Sequence, residues 1–177
     1  MNSEQQTRVL MVLRHTKSDW NSEVESDFER PLNKRGKKDA PRMGRWLRKQ
    51  RLVPDHLVAS PAKRAEQTLL AVAKELEIKK KKIHWERRVY EASVGRLLEV
   101  LAEVPDDKQQ VLLVGHNPGL EELIAFLCRT GSLPDPPTGF LKTGGFAQIR
   151  MPGDWHRLTP GCAELLQLMR PKELPEA

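Results

Sequence analysis

The sequence predicts an open α/β fold with a mostly parallel central sheet, and three junctions in the chain predict it. Val9–Leu13, Leu57–Ala59 and Val111–Val114 are apolar runs of the kind that form buried strands. Each stops at a polar turn: Arg14-His15 after the first, Ser60-Pro61 after the second, Gly115-His116-Asn117-Pro118 after the third. The second and third turns lead straight into amphipathic stretches. In open, mostly parallel sheets the ligand crevice lies outside the carboxyl ends of the strands. Arg14, His15, Arg64 and His116 are therefore expected to converge, although they are far apart in the chain.

The whole chain sets bounds on this reading. Its 177 residues suit one domain over 1–177, with 1–7 and 172–177 loosely ordered. A content of 38% hydrophobic and 31% charged residues is that of a soluble protein with a charged surface. No run approaches the roughly 18 apolar residues of a membrane span, and Arg14 interrupts the one apolar run near the N-terminus, so a cytoplasmic protein without membrane contact is expected. Cys128 and Cys162 lie outside any C-x-x-C pattern and read as small buried hydrophobes. The net charge of +6 raises nucleic acid as a partner. Its densest run, Lys79–Lys82 with Arg87 and Arg88, has no interleaved aromatic platform and reads as solvated surface, so no nucleic acid is expected.

Strand one covers about Arg8 to Leu13, and the polar stretch from Thr16 to Pro31 reads as a loop bordering the site. Asn33 signals a helix with Ala40, Met43 and Leu47 on one face, although Gly36 and Pro41 weaken it and Pro41 could kink it. After the turn at Leu52–Asp55, strand two runs from about His56 to Ala59. The helix from Pro61 to about Leu76 carries an apolar stripe of Ala62, Ala65, Leu69, Val72 and Leu76. Arg64 sits in its first turn, where a cation opposes the helix dipole, and that misplacement favours a functional role; Thr68, one turn on, could support it. A short strand at Ile83–Trp85 and a helix over about Ser93–Glu103 follow. Gln110–Val114 is a central strand buried on both faces, and its helix, Pro118 to about Arg129, buries Leu120, Leu123, Ile124 and Leu127. Residues 130–145 hold three prolines and four glycines and read as loop. Phe146–Met151 alternates and reads as a strand near the sheet edge. Cys162–Met169 is ambiguous between strand and helix by period alone.

Two arginines and two histidines describe an anion pocket, most simply one for phosphate. Ser60-Pro61 and Asn117-Pro118 each read as an N-cap followed by Pro at the first helical position, which would also aim helix N-termini into the crevice.

These residues carry a family resemblance. RHTKSDWN resembles the first motif of the histidine phosphatase (phosphoglycerate mutase-like) superfamily, SPAKRAEQT its second arginine motif and GHNPGLEEL its second histidine motif. DFERPLNKRGKKDAPRMGRWL and VYEASVGRLLEVL are similar to the small SixA-type phosphohistidine phosphatases. The resemblance runs from about Val9 to Pro171. It implies a three-layer α/β/α sandwich, a strand at 162–169, and a phosphatase that passes through a phosphohistidine on the enzyme.

In that chemistry His15 is the nucleophile, since a neutral imidazole held in one tautomer attacks well at pH 7. Arg14 and Arg64 offer planar forks for phosphate, and His116 donates to a phosphate oxygen. Glu91 falls where relatives carry a proton donor, with Asp19 as a rival and a plain surface carboxylate as a third reading. Asn21 falls where relatives place a phosphate-contacting asparagine, though it suits a turn equally well. Asn117 is a further substrate-contact candidate. Two residues depart from the pattern. Thr16 replaces the motif glycine and either narrows the pocket or offers a hydroxyl. Lys17 replaces an acid common in the mutases and argues against their sugar-phosphate specificity. His56, His84 and His156 occur singly, and no spacing suggests a metal; no metal or cofactor is expected. Partners are a phosphorylated protein or a small phosphorylated molecule. The alternatives to a protein phosphohistidine phosphatase are a promiscuous small-molecule phosphomonoesterase and a catalytically idle phosphate-binding module.

Overall fold

The computed structural model describes residues 7–176. Six strands form one mixed sheet: β1 (Arg8–Arg14), β2 (His56–Ala59), β3 (Ile83–Trp85), β4 (Gln110–Gly115), β5 (Phe146–Met151) and β6 (Glu164–Met169), in the order β3-β2-β4-β1-β5-β6. The β3-β2-β4-β1 pairings are parallel, and β5 is antiparallel to both β1 and β6. Four helices cover the sheet: α1 (Lys34–Lys49), α2 (Lys63–Glu75), α3 (Val94–Ala102) and α4 (Gly119–Leu127).

Alternation along the strands builds two cores. Leu10, Val12, Val111 and Leu113 face Leu97 and Leu101 of α3 and Leu120, Leu123 and Leu127 of α4. Met11, Leu13, Leu112 and Val114 face Met43 and Leu47 of α1 and Leu69 and Val72 of α2. With one helix pair on each face the expected three-layer sandwich results. Gly44 lets α1 and α2 approach closely, because a Cβ there would lie 2.8 Å from Glu75 Cβ.

β5 lies near the sheet edge, with β6 alone beyond it, and Gln148 accepts from Gln167 Nε2 (2.6 Å) while Arg150 pairs with Glu164 (3.0 Å), both on β6. α1 runs through Pro41 for 16 residues. Two expectations need correction. α2 starts at Lys63, not Pro61. Of the ends expected to be loose, residues 1–6 and 177 lie outside the described residues. Near the C-terminus Pro171–Glu173 form a 3-10 turn and Leu174 is buried against the α1/α2 core. Both cysteines are free, Cys128 buried and Cys162 partly so. Among the described residues no helix is long and apolar enough to cross a membrane.

Candidate active site

β1 and β4 end side by side, with Arg14 opposite Gly115. The backbone then holds the next residues by hydrogen bonds: His15 N–H to the Gly115 carbonyl (3.1 Å), Arg14 N–H to that of Gly145 (3.0 Å), and Gly144 N–H to that of His15 (2.8 Å). Gly144, at φ 70°, fits the left-handed region, and a Cβ there would lie 2.7 Å from Pro171 and 3.2 Å from Thr16. The long loop before β5 is thereby bound to the carboxyl end of β1.

The two imidazoles come together. His15 and His116 have ring centroids 5.3 Å apart, and both are buried. His15 Nδ1 lies 2.7 Å from the Thr16 carbonyl, which can only accept, so Nδ1 carries the proton and Nε2 the lone pair. Burial, then the Arg64, Arg14 and Arg30 charges, lower the His15 pKa to about 4, overriding the opposing bond to Thr16. His116 is pushed down to about 3 by burial and by the neighbouring His15 and Arg64. Both rings are therefore neutral at pH 7. His116 Nε2 meets Ser60 Oγ at 2.8 Å, and Tyr90 packs edge-on against its ring at 5.5 Å.

The arginines are set by backbone carbonyls. Arg14 Nη1 donates to the Leu141 carbonyl (3.0 Å), and Arg64 Nη1 to that of Asp27 (2.7 Å). Arg64 Nη2 also pairs with the Asp27 carboxylate at 2.9 Å, which in turn accepts from Tyr90 Oη (2.9 Å) and from Arg30. Partial burial would raise the Asp27 pKa, but the Arg30 and Tyr90 hydrogen bonds and the Arg64 charge hold it well below the usual carboxylate range. Arg30 is buried, donates to Ser18 Oγ and lies 3.6 Å from the exposed Trp20 ring. Three nitrogens of the basic quartet, Arg14 Nε, Arg64 Nε and His116 Nδ1, are buried without a hydrogen-bond partner. Such groups are costly unless an acceptor meets them. An anion with several oxygens is a fitting acceptor.

The other candidates fall less uniformly. Thr16 turns its hydroxyl away from the crevice, donating to the Gly36 carbonyl (2.9 Å) beside Thr68 Oγ1 (3.3 Å), so it supports the His15 loop. Thr68 does support Arg64, through a 2.7 Å bond to its carbonyl. Asn117 bridges: Nδ2 donates to the Leu141 carbonyl (2.8 Å) and Oδ1 accepts from Glu121 N–H (3.2 Å), capping α4. Both polar ends thus bond to the chain. Ser60 faces His116 and accepts from Ala62 N–H (3.2 Å) rather than capping α2 deeply. Asn21 is exposed and its N–H is taken by Asp19 Oδ1 (2.9 Å); both line a groove with Trp20 and Lys34 that neither histidine lines. Glu91 is exposed, next to Tyr90, with a left-handed φ of 53°. A non-glycine residue in that region is uncommon and such strain gathers at functional positions. His56 and His84 stack at 4.6 Å, and His156 pairs with Asp106 at 3.0 Å. With half-buried Asp154 these last two form a trio of potential ligands within 4.8 Å, which chain spacing did not suggest. Asp27, Arg30 and Tyr90 were not anticipated in the site, and Ser60 was expected there only as an N-cap. The one signal available was the position of Tyr90 beside Glu91.

A family model for the histidine phosphatase superfamily (branch 1) matches residues 10–112. The chain belongs to the histidine phosphatase superfamily. Its similarity to solved structures places this superfamily member in the SixA-type branch. A protein assigned as phosphohistidine phosphatase SixA from Nakamurella multipartitia superposes with a TM-score of 0.81 at 29% identity, covering 93% of this chain and 96% of that one. One from Agrobacterium tumefaciens, assigned likewise, gives 0.76 at 28% identity, covering 92% and 97%. An uncharacterized protein of Mycobacterium tuberculosis is 30% identical over 164 residues, 90% of this chain and 100% of the relative.

Proposed function

We propose that this histidine phosphatase hydrolyses phosphohistidine in proteins through a phosphohistidine formed on its own His15, without a metal ion. The observation that carries the reading is His15 itself: a buried, neutral imidazole whose Nδ1–H is fixed by the Thr16 carbonyl, beside unpaired N–H groups of Arg14, Arg64 and His116. Nε2 attacks phosphorus in line with the leaving group; the Nε2–P bond forms as the bond to the leaving group breaks. Arg14 and Arg64 stabilise the charge on the equatorial oxygens. Ser60 Oγ accepts from Ala62 N–H; with its own hydrogen donated to His116 Nε2, His116 Nδ1–H is the donor to a phosphate oxygen. Water next attacks phosphorus, Nε2 leaves, and inorganic phosphate departs.

Glu91 is the proposed proton donor to the leaving group and later the base for water, one carboxyl serving both steps in turn. Asp27, held ionised by its partners, is unsuited to that role. A departing imidazole needs less help from an acid than an alkoxide does, which fits a phosphohistidine substrate.

Rapid-quench experiments with a radiolabelled phosphohistidine peptide test the assignment. Label is expected on the wild-type protein and not on His15→Ala; undiminished label in the variant refutes His15 as nucleophile. Turnover is expected to persist in EDTA, and loss there overturns the metal-free mechanism. Glu91→Gln is expected to slow aryl phosphate hydrolysis while sparing phosphohistidine; wild-type rates on both remove Glu91 from the site.

A further inference from the structure

Around the site, charge is divided. Residues 19–29 carry five carboxylates and no base, whereas α1 carries eight lysines and arginines among its sixteen residues, with Asp39 as its one acid. The apolar face of α1 is taken up against α2, Asp39 is buried between Arg35 (3.6 Å) and Arg42 (3.0 Å), Arg45 and Arg48 pair with Glu75 (3.0 Å) and Glu77 (3.5 Å), and Lys34, Lys37, Lys38 and Lys49 are exposed.

They do not lie on a flat surface. A cleft of about 710 Å³ runs between α1 and the C-terminal segment, lined by Lys34, Arg35, Lys38, Arg42 and Lys172 among others. A second cleft of about 640 Å³ shares Lys34 and Arg35 with it and continues past Lys37 and Trp20 to Lys17. Lys17 is two residues from His15. Its carbonyl accepts from Asn33 N–H (3.0 Å) and would be 2.1 Å from a Cβ on Gly36, so the start of α1 is pressed against the His15 loop. The trench therefore begins where the reactive site ends, and the part of α1 that lines it, Lys34 to Arg45, gives it a length of about 18 Å.

We infer that this trench docks an acidic segment of the protein substrate, about five extended residues on one side of the phosphorylated histidine. Acidic side chains there meet Lys34, Lys38 and Lys172, all exposed, while Glu23, Glu25 and Glu29, which do not line the trench, disfavour the same segment beyond it. That repulsion fixes which way the substrate lies. Nucleic acid is a poorer fit. Single-stranded nucleic acid is held by aromatic rings on which bases stack, and the ring present in the trench, Trp20, already has Arg30 on it. A bilayer is poorer still. Among the described residues the large exposed apolar side chains are Trp20, Val24, Val53 and Leu166, of which Trp20 alone lines the trench, and a concave trench cannot lie on a plane.

This inference rests on the proposed function only for the nature of the substrate, and its test separates the two. Lys34→Glu/Lys38→Glu/Lys172→Glu is compared with wild type and with Lys80→Glu/Lys81→Glu/Lys82→Glu, an equal charge change at a distant basic run. Binding of a fluorescein-labelled, unphosphorylated Glu-rich peptide is read by anisotropy beside its Gln-rich counterpart, a single-stranded oligonucleotide and phosphatidylserine vesicles. Turnover of acidic and neutral phosphohistidine peptides and of an aryl phosphate is read in parallel. The trench variant is expected to lose about tenfold or more in affinity and kcat/KM for the acidic peptide, more at low salt, with aryl phosphate turnover unchanged and the distant variant like wild type. Equal binding of acidic and neutral peptides, equal loss in the distant variant, or tighter trench-dependent binding of the oligonucleotide or vesicles each overturns the inference. Absence of all turnover in wild type defeats the proposed function, and the binding measurements still decide the trench.

Discussion

Arg64 directs both terminal nitrogens at Asp27, Nη1 to its carbonyl at 2.7 Å and Nη2 to its carboxylate at 2.9 Å. The same carboxylate accepts from Tyr90 and Arg30, so one side chain from the loop after β1 ties together the arginine of α2, the aromatic wall over His116 and a buried second guanidinium. It also places a negative charge on the fork that a phosphoryl group needs.

Removing that charge is expected to tighten anion binding. In Asp27→Asn the Arg64–carbonyl bond remains while the competing charge goes, so competitive inhibition by inorganic phosphate should strengthen by about three- to tenfold. A weaker inhibition constant in the variant would show instead that the carboxylate's main effect is to aim Arg64.

The lowered histidine pKa values move the acid limit of both activity and stability. The acid limb of kcat/KM, which reports the free enzyme, should lie near pH 4 rather than 6.5 once substrate ionisation is corrected for. Between about pH 6.5 and 4 the unfolded chain binds a proton at His15 that the folded protein refuses, so stability falls as pH falls through this window. The loss at His15 alone is of the order of 3 kcal/mol, with His116 adding in the same direction. Urea titrations at pH 7 and pH 4.5 measure it; equal midpoints refute the shifted values.

Thr16→Val keeps the side-chain shape and removes the bond to the Gly36 carbonyl. A loss of about 1–2 kcal/mol, seen as several degrees in Tm, is expected with turnover changed by less than about threefold. A large fall in kcat at wild-type stability would return the hydroxyl to the substrate.

Gly36→Ala sets two effects against each other. Helix propensity favours Ala by up to about 1 kcal/mol, but the new Cβ would stand 2.1 Å from the Lys17 carbonyl, which backbone must move to relieve. The clash should win, lowering Tm and slowing turnover through the His15 loop. Gly131→Ala, with nothing within 4 Å, is the control.

Local pattern in the sequence was enough for the strands, the apolar stripes and the meeting of Arg14, His15, Arg64 and His116. Strand-buried runs, helix periods and the crevice at strand ends depend on neighbours within a turn or two, or on a general property of parallel sheets. Alternation put β5 near the sheet edge, where it lies, but could not name its neighbour: the partners of Gln148 and Arg150 come from β6, a strand ambiguous by its own period. Nor could it say what holds Thr16 and Asn117, whose side chains bond to distant parts of the chain.

What the amino-acid order determined alone was which residues are basic, where strands stop and that the stops must share one edge. Tertiary structure decided what each of those side chains touches. Leu141, 127 residues from Arg14, accepts from its guanidinium, and Asp27, 37 residues from Arg64, accepts from another. A hydrogen bond over such a separation depends on angstrom-level placement by the packed core, and hydrophobic periodicity carries no record of it. The physical state of His15 is of the same kind: imidazole is written in the sequence, while its burial, its fixed proton and its neutrality arise only when three arginines and a carbonyl are brought around it.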